Sequence, residues 1–190
     1  TFTIYPPLYH VVTAALASQV GDAVMAGRSL SFACAILIAL VIAGIVHRLG
    51  AEAPALIRWA ATAIAGLSFL AVEHVFAAAI MMRVDMLALS LATCGLYVFL
   101  HSSGARGRTA ALVLFTLALM TKHSAMAAPA ACILGTTMAG PRAGLKLGLT
   151  FVMLAGLAVG VLGLIFGDAV YFHLFAANAL SYDPVRAART

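Results

Sequence analysis

Long apolar stretches separated by short polar connections dominate this sequence. A helix that crosses the ~30 Å hydrocarbon core of a bilayer needs about 20 residues, and fewer where the bilayer is locally thinned. We therefore predict six membrane-spanning helices, at residues 25–46, 57–77, 86–101, 109–121, 125–139 and 147–167. The predicted fold class is all-α, a polytopic transmembrane helix bundle of about six spans with interfacial helices at each end.

The stretch 109–139 is predicted to form two short spans instead of one long helix. As a single helix it would reach about 46 Å at 1.5 Å per residue, which is too long without strong tilt. The predicted hinge is Lys122-His123-Ser124. A cationic turn at membrane depth is tolerated only where it is buried in protein or lines a wet cavity. The hinge is therefore the first indication of a functional site.

The distribution of cations predicts the orientation of the bundle. Six spans place the first, third and fifth connections on one side, and these connections carry His47, Arg48, Arg58, Arg106, Arg108, Arg142 and Lys146. The positive-inside tendency makes that side cytoplasmic. Five of the six acids then fall on the opposite side: Asp22, Glu73, Asp85, Asp168 and Asp183.

The two ends of the chain are predicted to lie outside the bundle of residues 23–167. Residues 1–22 form an external or interfacial segment with a short helix at 8–19. Pro6-Pro7 opens this helix. Proline lacks an N–H, and this costs nothing there because the first N–H groups of a helix have no intrahelical partner. Residues 168–190 form a second external interfacial segment. The chain begins at Thr1 without a signal-peptide pattern, from which we expect a fragment or a processed product.

Composition restricts the class of protein further. Hydrophobic residues make up 64% of the chain and charged residues 9%, with a mean hydropathy of +1.10. A soluble domain has roughly a quarter of its residues charged. A water-soluble globule, a disordered tail and a nucleic-acid-binding module are therefore excluded, and membrane lipids are expected partners. The three cysteines lie far apart in apolar runs and are interpreted as buried thiols: Cys34, Cys94 and Cys132.

Ionisable and polar side chains collect at the predicted outer face. Such groups are costly near or within a bilayer, so their clustering is informative. They are Tyr5, His10, Asp22, Arg28, Glu73, His74, Arg83, Asp85, Lys122, His123, His173 and Asn178. Several cations around a water-accessible hollow suit a lipid-anchored phosphate, since arginine binds phosphate oxygens bidentately. An ion or solute pathway would also explain the buried charge.

Several of these residues also have purely structural explanations. Asp85 lies in a first helical turn, where the helix dipole favours a carboxylate. Arg28 could reach to the lipid headgroups, and His10, His74 and His101 have a simple explanation as histidines at the membrane interface. Lys122 has the fewest structural explanations, so the functional hypothesis gives it the greatest weight.

Six short strings then suggest a family. In order they are IYPPLYH (4–10), AGRSL (26–30), VHRLG (46–50), MRVDML (82–87), LMTKHS (119–124) and FHLFAAN (172–178). Together they resemble the core of the multi-pass GT-C glycosyltransferases, in the branch of protein O-mannosyltransferases and aminoarabinose lipid A transferases. The alanine-rich spans suggest a bacterial homologue.

The resemblance implies a specific activity. Such enzymes move a sugar from a polyprenyl-phosphate donor to a lipid, glycan or protein acceptor at the extracytoplasmic face of the plasma (inner) membrane. A carboxylate in the first external loop acts as general base on the acceptor hydroxyl. Basic residues hold the phosphate that becomes the leaving group.

The resemblance also assigns candidate residues. The resemblance assigns phosphate binding to Lys122 and Arg83, with His123 and Arg28 as weaker candidates. The further substrate-binding candidates are Tyr5, His10, His173 and Asn178. Asp85 is an auxiliary residue that orients a neighbouring cation or binds a metal, and a divalent cation is the one cofactor left open.

The sequence departs from the family pattern at both ends. The first span and the acidic loop would precede Thr1, so the main catalytic base is expected upstream, and the carboxyl-terminal spans would follow Thr190. Ile4-Tyr5 stands where the aminoarabinose branch has a Glu-Lys pair. Two other functions stay open: a transporter or flippase of a lipid-linked substrate, and a non-catalytic membrane subunit of the same fold.

Overall fold

The computed structural model describes residues 5–102 and 104–167, and within these ranges it is all-helical. The helices are α1 (Leu8–Val20), α2 (Ala23–Leu49), α3 (Ala55–Ala71), α4 (Glu73–Ile80), α5 (Val84–His101), α6 (Ala105–Thr121), α7 (Ala127–Ala139) and α8 (Pro141–Phe166). The predicted all-α class is confirmed. The short amino-terminal helix predicted at 8–19 is confirmed as α1.

Local sequence explains the tight turn between α1 and α2. Gly21 has a positive φ of 81°, a conformation that glycine adopts without steric cost, and its N–H donates to the carbonyl of Ala17. The carboxylate of Asp22 then accepts a hydrogen bond of 2.8 Å from the N–H of Met25 and caps α2. As a result α1 folds back against α2.

Helices α2 and α5 run in the same direction. Ser31, early in α2, hydrogen-bonds the backbone of Arg83 just before α5. Near the other end, the guanidinium of Arg48 lies 5.7 Å from the ring centroid of Tyr97. Helix α7 runs along α5 in this direction too, while α3, α6 and α8 return antiparallel.

This arrangement brings together the connections that join α2 to α3, α5 to α6 and α7 to α8. We call this the loop end of the bundle. It carries the seven cationic or titratable residues that the sequence places in these connections: His47, Arg48, Arg58, Arg106, Arg108, Arg142 and Lys146.

Two apolar clusters hold the helices together. The first joins α1, α2, α4 and α5 through Tyr9, Cys34, Ala35, Ala79, Met86 and Leu87. The second joins α6, α7 and α8 through Ala111, Leu112, Phe115, Cys132, Leu147 and Phe151. A close contact links α5 to α6, because a Cβ on Gly95 would lie 2.6 Å from Cε1 of Phe115. Cys34 and Cys132 are buried, as predicted, and Cys94 is half-buried.

The described helices have the character of a membrane protein. Three of them, α2, α5 and α8, are long and apolar enough to cross a bilayer, with 27, 18 and 26 residues. Helix α8 exposes large apolar side chains such as Met153, Leu157 and Leu164, which suits contact with lipid. It begins at Pro141, six residues before the start predicted from the sequence.

The prediction of one helix at 57–77 is wrong. Helices α3 and α4 are bent by 66° at a short break, and together they would make a fourth candidate span. Val72 has extended backbone angles, and Glu73 and His74 are both exposed directly after it. Glu73 occupies the first turn of α4, where the helix dipole stabilises a carboxylate.

The predicted break at Lys122-His123-Ser124 is confirmed, since α6 ends at Thr121 and α7 begins at Ala127. Their 17 and 13 residues correspond to about 26 Å and about 20 Å, less than the thickness of a typical hydrocarbon core. Six spans are therefore not confirmed. The predicted interfacial segment 168–190 lies outside the described residues.

Candidate functional site

The start of α5 meets the end of α6 because these helices pack antiparallel. Arg83 directly precedes α5, Asp85 lies in its first turn, and Lys122 directly follows α6. Three of the residues predicted from the sequence are thus brought together from two elements. We call Arg83, Asp85 and Lys122 the charged triad.

Both oxygens of the Asp85 carboxylate face a cation. Nζ of Lys122 donates to Oδ1, and Nε of Arg83 lies 3.7 Å from Oδ2. The side chains of Lys122, Asp85 and Arg83 are 29%, 37% and 57% exposed, so water and a ligand can reach them. Two cations beside one carboxylate leave a net positive charge at the site, which favours the binding of an anion.

A buried serine fixes the backbone of the charged triad. Oγ of Ser31 accepts a hydrogen bond of 3.1 Å from the N–H of Arg83 and donates one of 3.3 Å to its carbonyl oxygen. Ser31 is fully buried in α2. One turn earlier, a Cβ on Gly27 would lie 2.4 Å from Cγ of Met82, so α2 approaches this segment closely.

Sequence reasoning missed Ser31. The available signal was the spacing of Gly27 and Ser31, because small residues four apart in an apolar helix often mark a close approach between helices.

An apolar groove between α5 and α7 leads away from the charged triad. It has a volume of about 320 Å³, and Asp85 and Lys122 lie among its lining residues. A second groove of about 460 Å³ shares Leu96 with it and continues between the same two helices to Ser102 and Arg108. The groove between α5 and α7 therefore follows most of the length of α5.

The other candidates do not join the charged triad. Arg28, His10 and His123 are exposed, and within the described residues no hydrogen bond or ion pair connects them to it. His10 instead lies edge-on to the ring of Tyr9, at 5.8 Å between centroids. Tyr5 is half-buried before Pro6. His173 and Asn178 lie outside the described residues.

The donor set at the site suits an anion better than a metal ion. Across residues 5–102 and 104–167, no three His, Cys, Asp or Glu side chains converge in a way that could hold a metal. The carboxylate of Asp85 is engaged by Lys122 and Arg83. The predicted role of Asp85 in orienting a neighbouring cation stays a prediction.

Comparison with family models, curated proteins and solved structures finds no match to this chain. The chemistry of the site itself is therefore the guide to function.

Proposed function

We propose that this chain is the membrane-embedded core of a GT-C-type glycosyltransferase that uses a polyprenyl-phosphate sugar donor. One observation carries the proposal: a net-positive charged triad lies at the head of an apolar groove. A lipid-linked phosphate has the matching chemistry, with an anionic head for Lys122 and Arg83 and a hydrocarbon tail for the space between α5 and α7.

In this proposal Lys122 and Arg83 stabilise the leaving group. An acceptor hydroxyl attacks the anomeric carbon of the sugar, the bond between that carbon and the phosphate oxygen breaks, and the phosphate leaves with the electron pair. The hydroxyl proton passes to a general base, which in the family that the sequence resembles is a carboxylate of an external loop. Cations fixed before the reaction stabilise charge as it grows on the phosphate.

Asp85 has a positioning role in this scheme. Because its two oxygens are shared between Lys122 and Arg83, it aligns both cations beside one another. No metal ion is needed for this part of the scheme.

The proposal includes a six-span topology in a bacterial plasma (inner) membrane. Helices α3 and α4 together make one broken span, and α6 and α7 make two short spans in a locally thinned bilayer. With α2, α5 and α8 this gives an even number of crossings. The positive-inside tendency then assigns the loop end to the cytoplasm and the charged triad to the extracytoplasmic face.

The apolar groove disfavours a transporter or flippase. Moving a charged headgroup across the bilayer needs a polar path, and between the charged triad and Ser102 the groove passes Leu96, Phe99 and Leu100. A non-catalytic subunit would have no need to hold the three charged side chains of the triad next to one another.

Replacing Lys122 by alanine tests the proposal. A hydrogen bond to a charged group contributes about 1.5–3 kcal/mol, so we expect Lys122→Ala to use a polyprenyl-phosphate sugar about 10- to 100-fold less efficiently. The measurement is sugar transfer by the full-length protein in proteoliposomes. Lys146→Ala is the matched control, because Lys146 is an exposed lysine at the loop end. Unchanged transfer by Lys122→Ala, or an equal loss in the control, would contradict the proposal.

A further inference from the structure

The loop end of the bundle carries an excess of positive charge, and within residues 5–102 and 104–167 none of it is held in an ion pair. Six lysines and arginines lie there: Arg48, Arg58, Arg106, Arg108, Arg142 and Lys146. Glu52 is exposed in the connection between α2 and α3. Both ion pairs found in residues 5–102 and 104–167 belong instead to the charged triad at the other end.

Helix dipoles add to this positive charge. Helices α3, α6 and α8 begin at the loop end, and none of them has an acidic residue in its first turn. Their first turns contain Arg58, Arg106 and Arg142 instead. An arginine beside the positive end of a helix is unfavourable unless an anion lies nearby. The described packing does not supply that anion.

Aromatic contacts hold Arg48 and His101 between α2 and α5. The Arg48 guanidinium lies 5.7 Å from the ring centroid of Tyr97, and the His101 ring lies 4.2 Å from that same centroid. Nδ1 of His101 is 2.6 Å from the carbonyl oxygen of Tyr97. These contacts keep Arg48 and His101 beside one aromatic ring.

A second set of contacts joins the end of α2 to the start of α3. The ring of His47 lies 4.5 Å from that of Trp59, and its Nδ1 is 3.2 Å from Oγ1 of Thr62. Nη1 of Arg58 donates to the carbonyl of Ala51 at 3.4 Å, whereas its Nε is buried without a hydrogen-bond partner. Arg58 is therefore held in place with a donor still unsatisfied.

We infer that Arg48 and Arg58, with His47 and His101, form a binding site for the phosphate of an anionic membrane phospholipid. The ligand class is a glycerophospholipid with net negative charge, such as phosphatidylglycerol. This site is separate from the charged triad and goes beyond the proposed function. Arginine suits it because the guanidinium binds phosphate oxygens bidentately.

The apolar surroundings select a lipid over a free phosphate ion. Large apolar side chains beside the cations are exposed, with Leu49 at 82%, Leu56 at 83% and Trp59 at 60%. Tryptophan is enriched at the boundary between headgroups and hydrocarbon. A free ion would gain nothing from this surface, whereas acyl chains and glycerol would cover it. Basic pockets between transmembrane helices bind anionic headgroups for the same reason.

Trp59 provides a direct test, since it is the single tryptophan of the chain. The full chain in zwitterionic detergent micelles is titrated with dansyl-labelled phosphatidylglycerol, and energy transfer from Trp59 reports binding. We expect the double variant Arg48→Gln/Arg58→Gln to bind at least about tenfold more weakly, because each arginine near an anionic headgroup contributes about fivefold. The double variant Arg142→Gln/Lys146→Gln removes equal charge from exposed residues elsewhere at the loop end, and we expect a clearly smaller loss than in the first variant.

Competition identifies the source of the phosphate. Unlabelled phosphatidylglycerol should displace the probe, and phosphatidylcholine and glycerol phosphate should not. Equal losses in both double variants, no loss in the first, or displacement by glycerol phosphate as effective as by the lipid would overturn the inference. If circular dichroism shows that the first variant is unfolded, Arg48→Gln alone replaces it. We then expect about fivefold weaker binding, and unchanged binding would overturn the inference.

Discussion

At the scale of single residues, Ser31 determines where the charged triad lies. Its hydroxyl both accepts from and donates to the backbone of Arg83, and it is buried between α2 and the start of α5. Arg83 is therefore fixed by its main chain while its side chain stays free to reach Asp85 and a ligand. The position of one cation at the site depends on a neutral residue 52 positions earlier.

We predict that Ser31→Ala destabilises the protein and weakens donor binding. The substitution leaves the N–H of Arg83 without this partner, and the loss of such a part-buried hydrogen bond costs about 1 kcal/mol. Thermal unfolding in detergent measures the loss, and Ser29→Ala is the control because Ser29 is exposed on the same helix. Equal unfolding midpoints for the two variants would show that the Ser31 bonds contribute nothing.

Charge was the sequence signal for the site, and it identified Arg83, Asp85 and Lys122. Ionisable residues stand out in an apolar sequence because burying them is costly, so their depth can be inferred without a structure. Their direction around the helix axis cannot be inferred in this way. Arg28, His10 and His123 lie in segments predicted for the outer face, yet they are exposed and do not join the charged triad.

At the scale of helices, apolar length predicted most elements but not their bends. Helices α1, α2, α5 and α8 contain the segments predicted for them, within a few residues at most ends. Hydropathy is similar on both sides of Val72, so it gave no sign of the 66° bend between α3 and α4. The polar pair Glu73-His74 was the local signal for that break.

Close packing between α5 and α6 makes a prediction for Gly95. A Cβ there would lie 2.6 Å from a ring atom of Phe115, which is fully buried. We expect Gly95→Ala to lower the free energy of unfolding by about 1–3 kcal/mol, as overpacking does. Gly156→Ala is the control, because nothing lies within 4 Å of its Cβ position and alanine favours the helix. Unfolding in a denaturing detergent titration compares them, and equal stabilities would contradict the close contact.

At the scale of the whole molecule, the two ends of the bundle differ in charge. Within the part of the chain that the structure describes, the arginines and lysines of the loop end form no ion pair. The other end has the charged triad, with Asp22 capping α2 and Glu73 starting α4. The alternating directions of the helices, which six spans predict, place the three cationic connections together. The relative placement of the helices around one another came from the structure, because hydropathy contains no information on which faces pack.

Cysteine labelling tests the proposed orientation of these two ends. With Cys34, Cys94 and Cys132 replaced by alanine, we predict that Ser124→Cys reacts with a membrane-impermeant maleimide from outside intact cells. Arg106→Cys is expected to react only after the membrane is opened. Both positions are exposed in the structure, so each label reports the side of the membrane on which it lies. The reverse pattern would invert the topology.

The most direct test of the central claim is photo-crosslinking of the donor lipid. A polyprenyl phosphate with a diazirine in its first isoprene unit is added to the full-length protein in proteoliposomes, irradiated, and the adduct is located by mass spectrometry. We predict adducts within residues 85–93 and 122–128, where α5 and the segment leading into α7 border the groove beside the charged triad. We also predict that Lys122→Ala reduces them. Adducts concentrated at the loop end, or labelling that Lys122→Ala leaves unchanged, would contradict the proposed donor site.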